Sequence, residues 1–291
     1  MVGGVMTRNG ERFADLVKSG QSCLACVFPR MTSIDGAHVF YAFAAAFVAG
    51  AINSVAGGGT MVSFPALVAL GLPPIVANAT NTVGIWPGSV GSIWGFRREL
   101  SGVPKVMRWL LIPAFLGGAA GAMLLRMTPP GVFDRLIPWL ILFATLLFIL
   151  QAPIQRRLRS VEAARKAGPR WMAVAMAVQV AVAVYGGYFG AGMSIMMLSV
   201  LGILGMTDIL EMSAMTSLLA LCINGIAGLL FAQAGLVAWP YAFSMAFGAI
   251  AGGYGAAGVA RRIGRAAIRR FVIFVGLAIA VAMFVRVVRS G

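Results

Sequence analysis

Twelve amide and hydroxyl side chains fall inside stretches that otherwise hold almost nothing but apolar residues. They are Asn53, Thr60, Asn78, Thr80, Asn81 and Thr82 in the first part of the chain, and Tyr185, Ser194, Ser213, Thr216, Ser217 and Asn224 in the second. Glycines interrupt the chain within each group, in AGGGTM at 56–61 and in FGAGMS at 189–194. A helix that starts after such a break presents unpaired backbone N–H groups and about half a positive charge. Glycine lets a ligand approach that backbone closely. The chemistry this points to is solvation of a small anion by backbone dipoles and neutral donors, because no Lys or Arg lies deep in any apolar run. Taken singly, each Gly or Ser reads better as a packing residue, and each Asn equally well as an interhelical hydrogen-bonding group. The paired breaks with polar clusters downstream are what mark a translocation site.

Other chemistries find little support. His38 is the single histidine, and Glu99, Asp134, Asp208 and Glu211 stand at the ends of apolar segments. With no paired acids and no buried carboxylate, neither an enzyme nor the usual proton relay is expected, although Asp208 and Glu211 are the acids placed to act as a gate. No metal and no cofactor is expected. Cys23 and Cys26 form a CxxC without a βαβ context or a second pair to complete a zinc site, and Cys222 reads as a packing residue. The N-terminal tail lacks a basic stretch followed by an apolar one, so no signal peptide is expected, and Met31 is an alternative start.

The elements that must hold these groups are membrane helices. The chain is 60% hydrophobic and 11% charged, with a mean hydropathy of +0.92; a soluble domain has about 25% charged residues. Charge-free runs cover 36–96, 109–125, 136–155, 171–207, 212–260 and 271–285. A spanning helix needs about 20 apolar residues, so these runs predict ten hydrophobic segments of an all-α polytopic membrane protein. The runs lack the alternation of a barrel. The net charge of +15 does not imply nucleic acid, because the bases cluster between segments in the positive-inside pattern.

The polar stretch 155–170 divides the chain into a first repeat (37–154) and a second (171–288), preceded by a tail (1–36) expected to be disordered. AGGGTM aligns with FGAGMS at an offset of 133, and ANATNT (77–82) with MSAMTS (212–217) at 135. Five segments per half is odd, which makes the repeats inverted, a common transporter arrangement. With the N-terminus outside, the loops at 97–108, 155–170 and 261–270 place 15 bases inside and 8 outside. A rival with eight spans, in which each glycine-interrupted pair crosses once, places 16 inside and 7 outside, so charge alone does not separate the two. The second and seventh segments, near 60–72 and 193–204, are too short to cross a core of roughly 30 Å.

The runs GAINSVAGGGTMVSFPALVALGLPPIVANATNT (50–82) and GSVGSIWGFRREL (88–100), with the weaker echo YGGYFGAGMSIMML (185–198) and SAMTSL (213–218), resemble the TauE/SafE family of permeases, the sulfite exporter or toluene-sulfonate uptake permease family. The resemblance covers about residues 38–288. It implies a multi-pass protein of the bacterial inner membrane that moves small anions such as sulfite, sulfoacetate or sulfonates, often outward. It implies Asn53, Gly57, Gly58, Gly59, Thr60, Asn78, Asn81 and Thr82 as substrate-binding residues, joined by Gly190, Gly192, Thr216 and Ser217. Met193 stands where the first half has Thr60, so the second side offers fewer donors. An anion channel, or a permease for a non-sulfur organic anion, remains the alternative. The expected partners are a small anion and membrane lipid, with a homodimer left open.

Overall fold

The computed structural model describes residues 36–55, 58–162, 169–206, 208–255 and 265–290. The chain divides at His38, and Val39–Gly291 forms one compact unit. Among the described residues there are eleven α-helices and no strand. In chain order they are α1 (Gly36–Val55), α2 (Thr60–Ala69), α3 (Pro74–Gly95), α4 (Arg97–Gly102), α5 (Leu111–Met127), α6 (Pro130–Glu162), α7 (Pro169–Tyr188), α8 (Met193–Ile203), α9 (Ile209–Gln233), α10 (Trp239–Gly255) and α11 (Arg265–Ser290). A 3-10 turn over Lys105–Leu110 leads into α5. Helix α6 continues to Glu162, well into the polar stretch 155–170.

The helices are apolar on the outside and polar at points within, the reverse of a soluble protein. Met127, Phe247 and Phe274 are 80%, 69% and 72% exposed, while Asn78, Thr80 and Asn81 are at most 1% exposed. Lipid accepts the first set and would reject the second. Among the described residues, four stretches are long and apolar enough to cross a membrane: Gly36–Asn53, Lys105–Met127, Pro130–Leu150 and Leu210–Gln233. Shorter apolar helices occupy Thr60–Ala69, Met172–Tyr188, Met193–Gly202 and Arg270–Phe284. Helix α3 has the length to span, at 22 residues. Its amides and hydroxyls lower its hydropathy, and it can carry them because Val76–Thr82 and Gly84 are buried within the bundle.

Glycine sets how closely the helices approach and reveals their directions. A Cβ at Gly117 would strike Ala183 and the Val180 carbonyl, and one at Gly121 the Val184 carbonyl and the Tyr188 nitrogen. Residue numbers rise together, so α5 and α7 run parallel. The same holds for α10 on α1, where Gly248 meets Phe43 and Gly252 meets Phe47. It also holds for α10 on α3, where Gly84 meets Ala242 and Met245 and Gly88 meets Ala249. Helices α3 and α9 run antiparallel: the Trp86 indole donates to the Leu221 carbonyl at 3.0 Å, Gly225 faces Trp86, and Gly228 faces Val83. Helices α6 and α11 are also antiparallel, since Gly276 abuts Thr145 while Trp139 packs edge-on to Phe284.

The contact at Gly121 is backbone on backbone, so no rotamer change relieves it. Gly121→Val should destabilise the protein by about 1–3 kcal/mol. Gly131→Val, at an exposed position with open space around it, is the control. Thermal unfolding in detergent measures both; equal melting temperatures would mean that α5 and α7 do not approach this closely.

Candidate functional site

Both short helices end alike. Gly71 and Gly205 adopt φ of +90° and +88°. In each case the next residue's N–H reaches back five positions, Leu72 to Leu67 and Met206 to Leu201, both at 3.2 Å. This Schellman turn needs a left-handed residue, which glycine supplies without strain. The starts differ. Gly58 has φ +91°, whereas the second break uses Gly190 and Gly192 at +79° and +78°. The two starts meet the same turn and a half of α6. A Cβ on Gly58 would strike the tip of the Phe148 ring, and one on Gly192 would lie 3.5 Å from Ala144 and Leu147. Phe64 of α2 packs edge-on to Phe189, with ring centroids 5.3 Å apart. Tyr185 donates its hydroxyl proton to the Ala191 carbonyl at 2.7 Å, fixing the second break.

The free N–H groups expected at these starts are partly engaged within the chain. Gly59 donates to Asn53 Oδ1 at 2.7 Å, and Met61 and Val62 close tight turns onto the Gly58 and Gly59 carbonyls at 3.0 and 2.9 Å. At the second start, Met193 donates to Gly190 at 3.3 Å and Ile195 to Gly192 at 3.1 Å. Short 3-10 bonds of this kind are a usual way to satisfy a helix end. The side chains around the breaks therefore carry more of the site's polarity than backbone dipoles alone.

A cavity of about 680 Å³ opens beside both breaks. Its lining includes Asn53, Gly58, Thr60, Asn81, Thr82, Gly190, Gly192, Thr216 and Ser217, and no charged side chain among the described residues. Two residues expected from the sequence lie elsewhere. Asn78 is buried and donates to the Tyr188 carbonyl at 3.0 Å. Gly59 is packed against the Ala49 backbone, where a Cβ would strike the carbonyl. Gly57 lies outside the described residues, as do Cys23 and Cys26. Thr82 bonds back to the Asn78 carbonyl at 2.9 Å, and Thr80 accepts from the Ala238 N–H at 2.9 Å, away from the cavity. The acids stay outside the lining: Asp208 caps α9 by accepting from Leu210 at 2.7 Å, and the Glu211 carboxylate lies against Gly102 of α4.

The far half of α3 also joins the site, beyond the residues expected there. Asn81, Ile85, Gly88, Ser92 and Gly95 all line the cavity, and their spacing places them on one helix face. That face carries the lining to Phe96, next to the basic loop that begins at Arg97. The small-residue spacing in GSVGSIWG (88–95) was the available signal.

A neutral polar cavity at paired helix breaks, inside a bundle whose outer surface is apolar, is the arrangement of a membrane transporter. The chain belongs to the TauE/SafE sulfite exporter family, whose model matches residues 42–283. It is similar to a probable membrane transporter protein of Haemophilus influenzae, 28% identical over 79% of this chain and 88% of that one. It is likewise similar to the probable membrane transporter protein YfcA of Escherichia coli, 28% identical over 72% of this chain and 76% of the other. A probable membrane transporter protein, ORF9 of a Sinorhizobium species, is 27% identical over 84% and 91%. No solved structure matches the chain.

Proposed function

We propose that this transporter moves small anions, sulfite or sulfonates foremost, outward across the bacterial inner membrane by alternating access. The observation that carries the reading is the convergence of Gly58 and Gly192 on one stretch of α6, beside a cavity with polar but uncharged walls. Amides, hydroxyls and helix starts solvate an anion without a fixed counter-charge and release it reversibly. The lining mixes these donors with apolar Phe189, Ile85 and Ile250, which suits an anion carrying a small organic group as well as sulfite.

The reading includes two inverted repeats, 37–154 and 171–288. Helices at matching places, α3 with α9 and α6 with α11, run antiparallel, as a dyad in the membrane plane requires. Packing partners also exchange with the halves: α9 packs on α5 as α3 does on α10, and α6 packs on α8 as α11 does on α2. Alternation over ten segments makes α3 parallel to α10 and antiparallel to α9, in agreement with the contacts. Eight spans, with each broken pair crossing once, would reverse both relations. These directions favour ten segments.

The test is thermal unfolding of the detergent-purified protein with sulfite, sulfoacetate, taurine, sulfate, acetate and chloride. A ligand of the native state stabilises by about 2.7 kcal/mol at one hundred times its dissociation constant. Selective stabilisation by sulfite or a sulfonate is expected. A response to acetate with none to the sulfur compounds would replace the substrate class with carboxylates. No response to any anion would withdraw the sulfur-anion assignment.

A further inference from the structure

Asn78 and Asn81 stand three residues apart on α3, close enough for their side chains to be neighbours, and each is 1% exposed. Neither Asn78 Oδ1 nor Asn81 Oδ1 has a hydrogen-bond partner. An amide oxygen only accepts, so each needs a donor or a cation, and buried polar atoms left bare are rare in folded proteins. The Asn78 N–H bond to the Tyr188 carbonyl fixes which way that amide faces. The matching positions in the second half, Ser213 and Thr216, carry hydroxyls, which donate as well as accept.

The backbone beside these oxygens has the same sign. Tyr188 is the last residue of α7, and a helix C-terminus carries about half a negative charge. The turn beyond it leads through Phe189 and Gly190, which line the cavity together with Asn81. No Lys, Arg, Asp or Glu occurs in 74–95 or 171–206, so no side-chain cation answers the two oxygens from α3, from α7 beyond Arg170, or from α8. Calcium and magnesium sites ordinarily include carboxylates, whereas carbonyl oxygens and helix C-terminal ends alone suit a singly charged ion.

We infer that Asn78 Oδ1, Asn81 Oδ1 and the carbonyl end of α7 bind a monovalent alkali cation that travels with the anion. The inference rests on the transporter reading above and names its coupling ion. The cation lies at the negative end of α7, and the anion belongs at the positive starts of α2 and α8. Each neutralises the other where the surroundings are weakly polarisable.

The experiment uses the full chain in detergent with no sulfur anion present, unfolded thermally in NaCl, KCl and choline chloride of equal ionic strength. Wild type is expected to melt higher in NaCl or KCl than in choline chloride, the rise growing with cation concentration. Asn78→Ala and Asn81→Ala should abolish that rise. Asn81→Ala leaves the Asn78–Tyr188 bond intact, so it carries the test if Asn78→Ala fails to fold. Identical melting in all three salts, or a rise that survives in Asn81→Ala, would overturn the site and leave the two oxygens to water. The sulfite response measured in choline separates the two ideas. An anion response without a cation response sinks the cation site alone. A cation response without an anion response supports the cation site and removes the sulfur anion.

Discussion

Gly58→Ala is expected to cut transport by about tenfold or more, the effect of raising a barrier by about 1.4 kcal/mol. The backbone there has φ +91°, which costs an L-residue about 1–2 kcal/mol, and the new Cβ would enter the Phe148 ring. The substitution therefore strains the break and pushes α6 away from it. Gly71→Ala separates the two causes. Its φ is nearly the same, +90°, but nothing lies within 4 Å of a Cβ. It should lower stability by a similar 1–2 kcal/mol and leave transport near wild type. Adding Phe148→Ala to Gly58→Ala should recover part of the lost rate. Proteoliposome flux normalised to folded protein measures all three. Full activity in Gly58→Ala would detach this break from the translocation site.

Asn81→Leu should abolish transport without harming the fold. The side chains are similar in size, Asn81 lines the cavity, and its Oδ1 has no partner to lose. Replacing a bare buried polar group by an apolar one of like shape is close to neutral, or stabilising. The expected signature is an unchanged or higher melting temperature with flux at background. Flux at the wild-type level in a well-folded variant would remove Asn81 from the site.

Much of this could be read from residue order. The charge-free runs mark the apolar helices, and the two breaks at an offset of 133 lie at the starts of α2 and α8. The glycines that close those helices, Gly71 and Gly205, have left-handed backbones that local chemistry demands. Other assignments depended on neighbours distant in sequence. Gly59 resembles Gly58 in the sequence, yet it faces the Ala49 backbone and is there for packing. Asn78 resembles Asn81, but its amide turns to Tyr188. Gly88, Ser89, Gly91, Ser92 and Gly95 of α3 were not among the expected site residues, yet all five line the cavity.

Composition and local backbone preference act within a few residues, so the sequence by itself determined the membrane class, the polar interruptions and the positions where helices must stop. Which polar groups face one another depends on how whole helices cross and in which direction they run. Only the tertiary structure decided that Gly58 and Gly192 meet on α6, that α3 and α9 are antiparallel, and that Asn53 takes the Gly59 N–H. The reason is physical. Lipid sorts side chains by polarity alone, whereas the directional bonds of a site are made between helices and exist only once those helices have packed.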